Sequence, residues 1–146
     1  MVVLEPPPDP PPIVGRASII DADTIDVHGQ RIRLWGIDAP ESRQTCERNN
    51  QTYRCGTEAA NALSAWVGQR TVTCAAEGRP DRYRRIVARC AVGGVDIGGW
   101  LVGQGWALDY VRYSRGAYAA PERQARLSRA GVWAGAFQRP WEWRAR

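Results

Sequence analysis

The segment Arg33-Leu-Trp-Gly-Ile-Asp38-Ala-Pro-Glu41 sets an arginine, an aspartate and a glutamate close together at the end of an apparent strand. A second acidic group, Asp21-Ala-Asp23-Thr24, lies just upstream, and an arginine-rich segment, Asp81-Arg82-Tyr83-Arg84-Arg85, lies downstream. Clustered carboxylates suit a hard cation, and guanidinium groups suit the oxygens of a phosphate. Together they are the ingredients of phosphodiester cleavage.

Missing residue types narrow the chemistry further. The chain of 146 residues has no lysine, so all 20 basic side chains are arginines. That excludes a carboxylate-lysine catalytic core of the restriction-enzyme kind and a Walker-type phosphate loop. The single histidine, His28, cannot form a two-histidine acid/base pair. It precedes Gly29 between two short apolar runs and reads as a hairpin tip. The Asp-x-Asp-Thr element also occurs in aspartyl-phosphate phosphatases, but those need a lysine and a larger helical scaffold. Much of the arginine bias is a compositional preference for arginine over lysine throughout the chain. The net charge of +5 nevertheless suits an acidic polymer, of which nucleic acid is the obvious one.

In order and separation the three charged segments resemble the active site of the staphylococcal nuclease (thermonuclease) family. That family's pattern runs Asp-Gly-Asp-Thr, then Arg-x4-Asp-x-Pro-Glu, then Asp-x-Tyr-Gly-Arg, and the resemblance extends from Ile13 to the C-terminal tail. It implies an α+β fold, a five-stranded OB-type β-barrel with three helices. It also implies calcium as cofactor, held by Asp23, Asp38 and the backbone carbonyl of Ala39, where relatives often carry threonine. Glu41 would position or deprotonate the attacking water, and Arg33 and Arg85 would grip the phosphate. Arg82, Tyr83, Arg84, Tyr110 and Tyr113 would contact the substrate. The implied activity is calcium-dependent hydrolysis of DNA and RNA with little sequence selectivity, leaving 3′-phosphate products, by a monomer.

Two positions depart from the pattern: Ala22 and Arg84 stand where the family has glycine. Ala22 asks for an ordinary backbone where glycine would be free. Arg84 leaves two adjacent arginines for one role, and the count from Tyr83 favours Arg85. Two other readings use the same residues: a nuclease-like domain that binds nucleic acid or protein without cutting, and a disulfide-stapled structural module. The first expects some of the charged set to be lost, whereas Asp23, Arg33, Asp38, Glu41 and Arg85 are all present. The second explains the barrel and cysteines but not the clustered charges.

Four cysteines in so short a chain point to an oxidising compartment, secreted or periplasmic. Zinc is the competing explanation, but there is no Cys-x2-Cys pair and the histidine is remote. Three connectivities are open. The favoured one pairs Cys46 with Cys55 across the polar segment 47–54, and Cys74 with Cys90 between two strand-like runs.

The elements that must position these groups follow from periodicity. Residues 13–20, 24–27 and 30–35 read as strands, and in the third Ile32 and Leu34 face opposite to Arg31, Arg33 and Trp35. Residues 57–67 read as a helix ended by Gly68, and 71–76 and 85–92 as two more strands. Asp96 can cap a second helix, and Pro121 can open a third that stops at Gly131. Seven tryptophans, three of them in the tail at Trp133, Trp141 and Trp143, are expected mainly as core or staple residues.

Residues 1–12, rich in proline, read as a stiff arm ahead of a single domain over 13–146. No run is long and apolar enough to span a membrane. Met1-Val-Val-Leu-Glu5 lacks the regions of an export signal, so Met1 reads as an artificial start with any natural signal removed.

Overall fold

A computed structural model describes residues 2–6 and 8–146. Met1 and Pro7, both in the expected proline-rich arm, lie outside the described residues. The rest of the arm is exposed and forms no element, and regular structure begins at Ile13.

A barrel is built from β1 (Ile13–Asp21), β2 (Thr24–Val27), β3 (Gln30–Leu34), β7 (Thr71–Ala76) and β8 (Ile86–Val92). They run in the order β3-β2-β1-β7-β8, and a parallel pairing of Arg33 with Val87 between β3 and β8 closes the sheet on itself. Closure leaves no unpaired edge within the barrel, which is the α+β, OB-type architecture that the resemblance implied. Alternation drives it: Ile25, Val27, Ile32, Leu34, Val72 and Val92 point inward and are buried. Side chains such as Ile32 each contribute about 1.5 to 3 kcal/mol by leaving water.

The expected tip at His28 and Gly29 is a tight turn in which both residues take left-handed conformations, φ 53° and 81°. The imidazole folds back to within 3.2 Å of the Val14 carbonyl oxygen, which gives His28 a structural role.

The three expected helices are α1 (Cys55–Val67), α2 (Ile97–Gly103) and α4 (Ala119–Ser128). Helix α1 buries Ala59, Leu63 and Val67 against the barrel, while its Trp66 stacks on Trp100 of α2 at 4.2 Å. Asp96 caps α2 as read, its carboxylate accepting from the Gly99 amide at 2.8 Å. Helix α4 begins two residues before Pro121, which sits in the first turn where its missing N–H is harmless.

Short elements that periodicity could not reveal fill the connections. The segment read as a polar loop is a hairpin of β5 (Cys46–Arg48) and β6 (Gln51–Tyr53), turned by left-handed Asn49 and Asn50. A two-stranded ladder joins β4 (Ile37–Asp38) to β10 (Leu108–Asp109). Two brief helices, α3 (Val111–Ser114) and α5 (Pro140–Arg144), add to the three expected ones.

Disulfides join Cys46 to Cys55 and Cys74 to Cys90, the second pair lying in register across β7 and β8. A second apolar cluster forms around the first disulfide, where Leu108 and Val132 pack with Tyr53, Trp133, Phe137 and Trp141. The tail is thereby folded back over the start of α1. No helix among the described residues is long and apolar enough to cross a membrane.

Candidate active site

Arg33 leaves β3 on the face opposite the buried Ile32 and Leu34, which aims it across the barrel mouth. Its Nη1 lies 3.5 Å from Asp23 Oδ2 and its Nη2 lies 3.4 Å from Asp38 Oδ1. One guanidinium thus spans the two acidic segments. The Asp23 carboxylate also accepts the Ala39 amide at 3.0 Å, which ties the β1–β2 turn to the end of β4. That turn needs no left-handed residue: Ala22 is fully buried and keeps a negative φ, so the missing glycine costs nothing here.

Asp38 is fully buried by its place in the β4–β10 ladder. Burial pushes its carboxyl above the ordinary range, the Arg144 hydrogen bonds oppose this, and the nearby Asp23 charge adds to it. A carboxylate so placed needs a cation. Asp21 is pushed up as well, first by burial and then by the Asp23 and Glu41 charges. Asp21, Asp23, Asp38 and Glu41 therefore lie within reach of one another's charge, with the Arg33, Arg85 and Arg144 guanidiniums among them.

Glu41 sits on a loop fixed from below by Gln44. The Gln44 side chain accepts the Glu41 amide at 3.1 Å and donates to the Gln138 carbonyl at 2.7 Å, while the Gln44 amide donates to the Glu41 carbonyl at 2.8 Å. Gly56, in the first turn of α1, packs directly under this loop. A Cβ there would lie 1.8 Å from the Glu41 carbonyl oxygen, so only glycine allows the approach. The adjacent Cys55 carries the disulfide to Cys46, which fastens the same loop from its other end.

The downstream segment settles into a turn that answers the Arg84 departure. Arg84 adopts φ 63°, the left-handed conformation that a glycine takes freely, and points to solvent. Arg85 turns inward: its Nε donates to Asp81 Oδ2 at 2.7 Å and its Nη1 donates to Thr24 Oγ1 at 3.2 Å. Thr24 in turn donates to Asp23 Oδ1 at 3.1 Å. Arg33 and Arg85 therefore approach Asp23 from two sides. Arg82 and the exposed Tyr83 stand further out, with the Arg82 guanidinium 4.9 Å from the Tyr83 ring centre.

Tyr110 and Tyr113 lie one strand beyond Asp38, the Tyr110 amide donating to the Gly36 carbonyl at 2.9 Å. One face of the Tyr110 ring is covered by Trp141, stacked at 5.2 Å, and the two rings border a surface pocket with Val111 and Arg112. Tyr113 remains exposed.

Sequence reasoning assigned no role to Gln44, Gly56 or Arg144. Arg144, on α5, donates from Nη1 to Asp38 Oδ1 at 2.9 Å and to Glu41 Oε1 at 2.7 Å, and from Nη2 to Asp38 Oδ2 at 2.7 Å. More than a hundred residues separate it from its partners, and only the aromatic density of the tail signalled that this end is folded. Together with Glu41, Ser42, Arg43, Arg82 and Trp143 it lines an open groove of about 600 Å³.

Among the described residues no three of His, Cys, Asp and Glu are grouped as a metal cage. A cation at this mouth would rest on the carboxylates of Asp23 and Asp38, the Ala39 carbonyl and water. These are all hard oxygen donors, which fit calcium and its tolerance of irregular coordination.

Comparison with known proteins agrees with this geometry. The family model described as "Staphylococcal nuclease homologue" matches residues 31–135. The chain is 42% identical over 125 residues to the succinoglycan biosynthesis protein ExoI of Rhizobium meliloti (strain 1021), covering 84% of this chain and 65% of that protein. It is 37% identical over 116 residues to a probable staphylococcal-like nuclease CAN1 of Oryza sativa subsp. japonica, covering 78% of this chain and 32% of that one. An uncharacterized endonuclease of Escherichia coli is 32% identical over 135 residues, with 88% and 82% covered. The chain thus spans less than two thirds of the length of the first two relatives. With the barrel, the charged segments and the family match in agreement, the chain belongs to the staphylococcal nuclease homologue family.

Proposed function

We propose that the protein is a calcium-dependent phosphodiesterase that hydrolyses DNA and RNA with little sequence selectivity. The observation that carries the reading is the placement of Arg33 against both Asp23 and Asp38, with Arg85 reaching Asp23 through Thr24 and Glu41 joined to Asp38 by Arg144. Names of relatives that include "nuclease" and "endonuclease" support the same class.

Asp23, Asp38 and the Ala39 carbonyl would hold calcium, which when bound supplies positive charge to a phosphate oxygen and to the attacking water. Glu41 takes the part of positioning or deprotonating that water, because it is half-exposed and shares the Arg144 guanidinium with the buried Asp38. Arg33 and Arg85 grip the non-bridging oxygens and match the charge that builds on them, where rigid donors help most. Both are held in place before substrate arrives, Arg33 by the Leu34 carbonyl and Arg85 by Asp81. The groove bordered by Arg43, Arg82 and Trp143 suits the sugar-phosphate backbone and a stacked base, contacts that carry little sequence information. Residues 13–146 form the working domain, and 1–12 a linker. The two disulfides support residence outside the reducing cytoplasm.

The test is incubation of purified protein and an Asp38→Asn variant with DNA and with RNA in calcium. Cleavage of both polymers by the parent and neither by the variant is expected. Retention of DNA on a gel without cutting would show a binding domain instead.

A further inference from the structure

The tail arginine carries an inference beyond this mechanism, one that rests on the metal site proposed above. Both oxygens of the fully buried Asp38 carboxylate receive Arg144 hydrogens, at 2.9 and 2.7 Å, and the same guanidinium reaches Glu41 at 2.7 Å. Arg33 adds a third donor to Asp38 Oδ1 at 3.4 Å. No loose end makes this contact. The Gln44 side chain bonds the Gln138 carbonyl at 2.7 Å, the Glu47 amide bonds the Ala136 carbonyl at 2.8 Å, and Trp141 stacks on Tyr110 one turn before Arg144. The guanidinium is therefore delivered by a packed element to the carboxylates that would ligate the metal and activate the water.

A guanidinium and a divalent ion compete for these oxygens: Oδ1 already takes hydrogens from both Arg144 and Arg33, and Oδ2 takes the second Arg144 hydrogen. A cation ligated by Asp38 must take an oxygen that Arg144 holds, and the two positive charges then repel at close range. We propose that Arg144 is the resident counter-cation of this carboxylate site, and that a metal enters only by displacing it. The guanidinium has somewhere to go, because Arg144 is 39% exposed and borders the open groove beside Arg43, Arg82 and Trp143. The exchange keeps Asp38 neutralised at every stage, so the buried carboxylate is never left without a positive partner. It also ties the position of the tail to occupancy of the site.

The experiment is calorimetric titration of calcium at pH 8 into the full chain, Arg144→Ala and Arg144→Gln, without nucleic acid. Removing the competitor should tighten calcium binding tenfold or more in both variants. Gln removes the charge but keeps more of the side chain, and a polar end, than Ala does, so agreement between the two variants separates competition from a packing defect. In parallel, the Arg144 side-chain NMR signal, assigned by its loss in Arg144→Gln, should move as calcium saturates the parent protein. Equal or weaker calcium binding by both variants, or an Arg144 signal that calcium leaves unchanged, would overturn the proposal while leaving the calcium site itself intact. Absence of calcium binding in all three proteins would overturn both.

Discussion

Asp81 holds Arg85 at two points, its Oδ1 accepting the Arg85 backbone amide at 2.9 Å and its Oδ2 accepting the Arg85 Nε at 2.7 Å. The first and last residues of the arginine-rich segment thus close the turn on themselves, and Arg85, the last of its three arginines, is the one aimed at Thr24. Arg84 supplies the left-handed bend that makes this possible. Of the adjacent pair, Arg85 faces Thr24 while Arg84 is exposed.

From that geometry, Arg85→Ala should lower turnover about 10²- to 10³-fold, as removal of a preorganised donor to transition-state charge does. Arg84→Ala should mainly weaken nucleic-acid binding and flatten its salt dependence. Arg84→Gly should keep full turnover, because glycine adopts the same bend without strain. Steady-state kinetics at two salt concentrations distinguish these outcomes. A greater loss of turnover in Arg84→Ala than in Arg85→Ala would move the catalytic role to Arg84.

The same turn should respond to acid. Burial pushes the Asp81 carboxyl up, but hydrogen bonds from the Arg85 amide and guanidinium and from the Tyr83 amide outweigh it and hold the group below its ordinary value. A depressed carboxylate contributes its stabilisation fully above its unfolded-state value, about pH 4, and loses it as pH falls through the folded one. Protection of the Tyr83 and Arg85 amides from hydrogen exchange, compared with Asp81→Asn, should therefore differ above pH 4 and converge in stronger acid.

Glu41→Gln should reduce turnover by about 10²- to 10⁴-fold while leaving nucleotide affinity nearly unchanged, because the side chain acts on water. Equal losses in affinity and turnover would show instead that Glu41 supports the cation.

Two ways of disturbing the Glu41 loop should give the same signature. Gly56→Ala drives a methyl group into the Glu41 carbonyl and should cost about 1 to 3 kcal/mol with a marked loss of turnover. Removing either disulfide by paired serine substitution should cost about 2 to 4 kcal/mol. Only loss of Cys46–Cys55, which fastens that loop, should also depress turnover at temperatures where the protein stays folded. Loss of Cys74–Cys90, which lies between barrel strands, should act on the melting temperature alone.

The barrel was legible because β1, β3, β7 and much of β8 alternate between more and less buried residues, a pattern that a chain carries in its own periodicity. The pairing of Cys74 with Cys90 followed from the same register. The charged segments were legible because Asp23, Arg33, Asp38 and Glu41 lie within nineteen consecutive residues. What escaped depends on long-range packing. Gly56 gives no sign in sequence that the Glu41 backbone rests on it, and α5 is one short turn whose placement depends on Trp141 meeting Tyr110. Tyr110 was expected at the substrate from the family resemblance, and nothing in the sequence signalled that Trp141 would stack on one face of its ring.

The central claim is that the charged cluster cleaves nucleic acid only with a divalent cation in place. Its most direct measurement is the initial rate of DNA cleavage by the purified chain as calcium is added, chelated and restored. Cleavage is expected to rise to saturation with calcium, vanish in excess chelator and return on restoration, with magnesium a poorer activator because it tolerates irregular oxygen cages badly. Cleavage undiminished in excess chelator would contradict it.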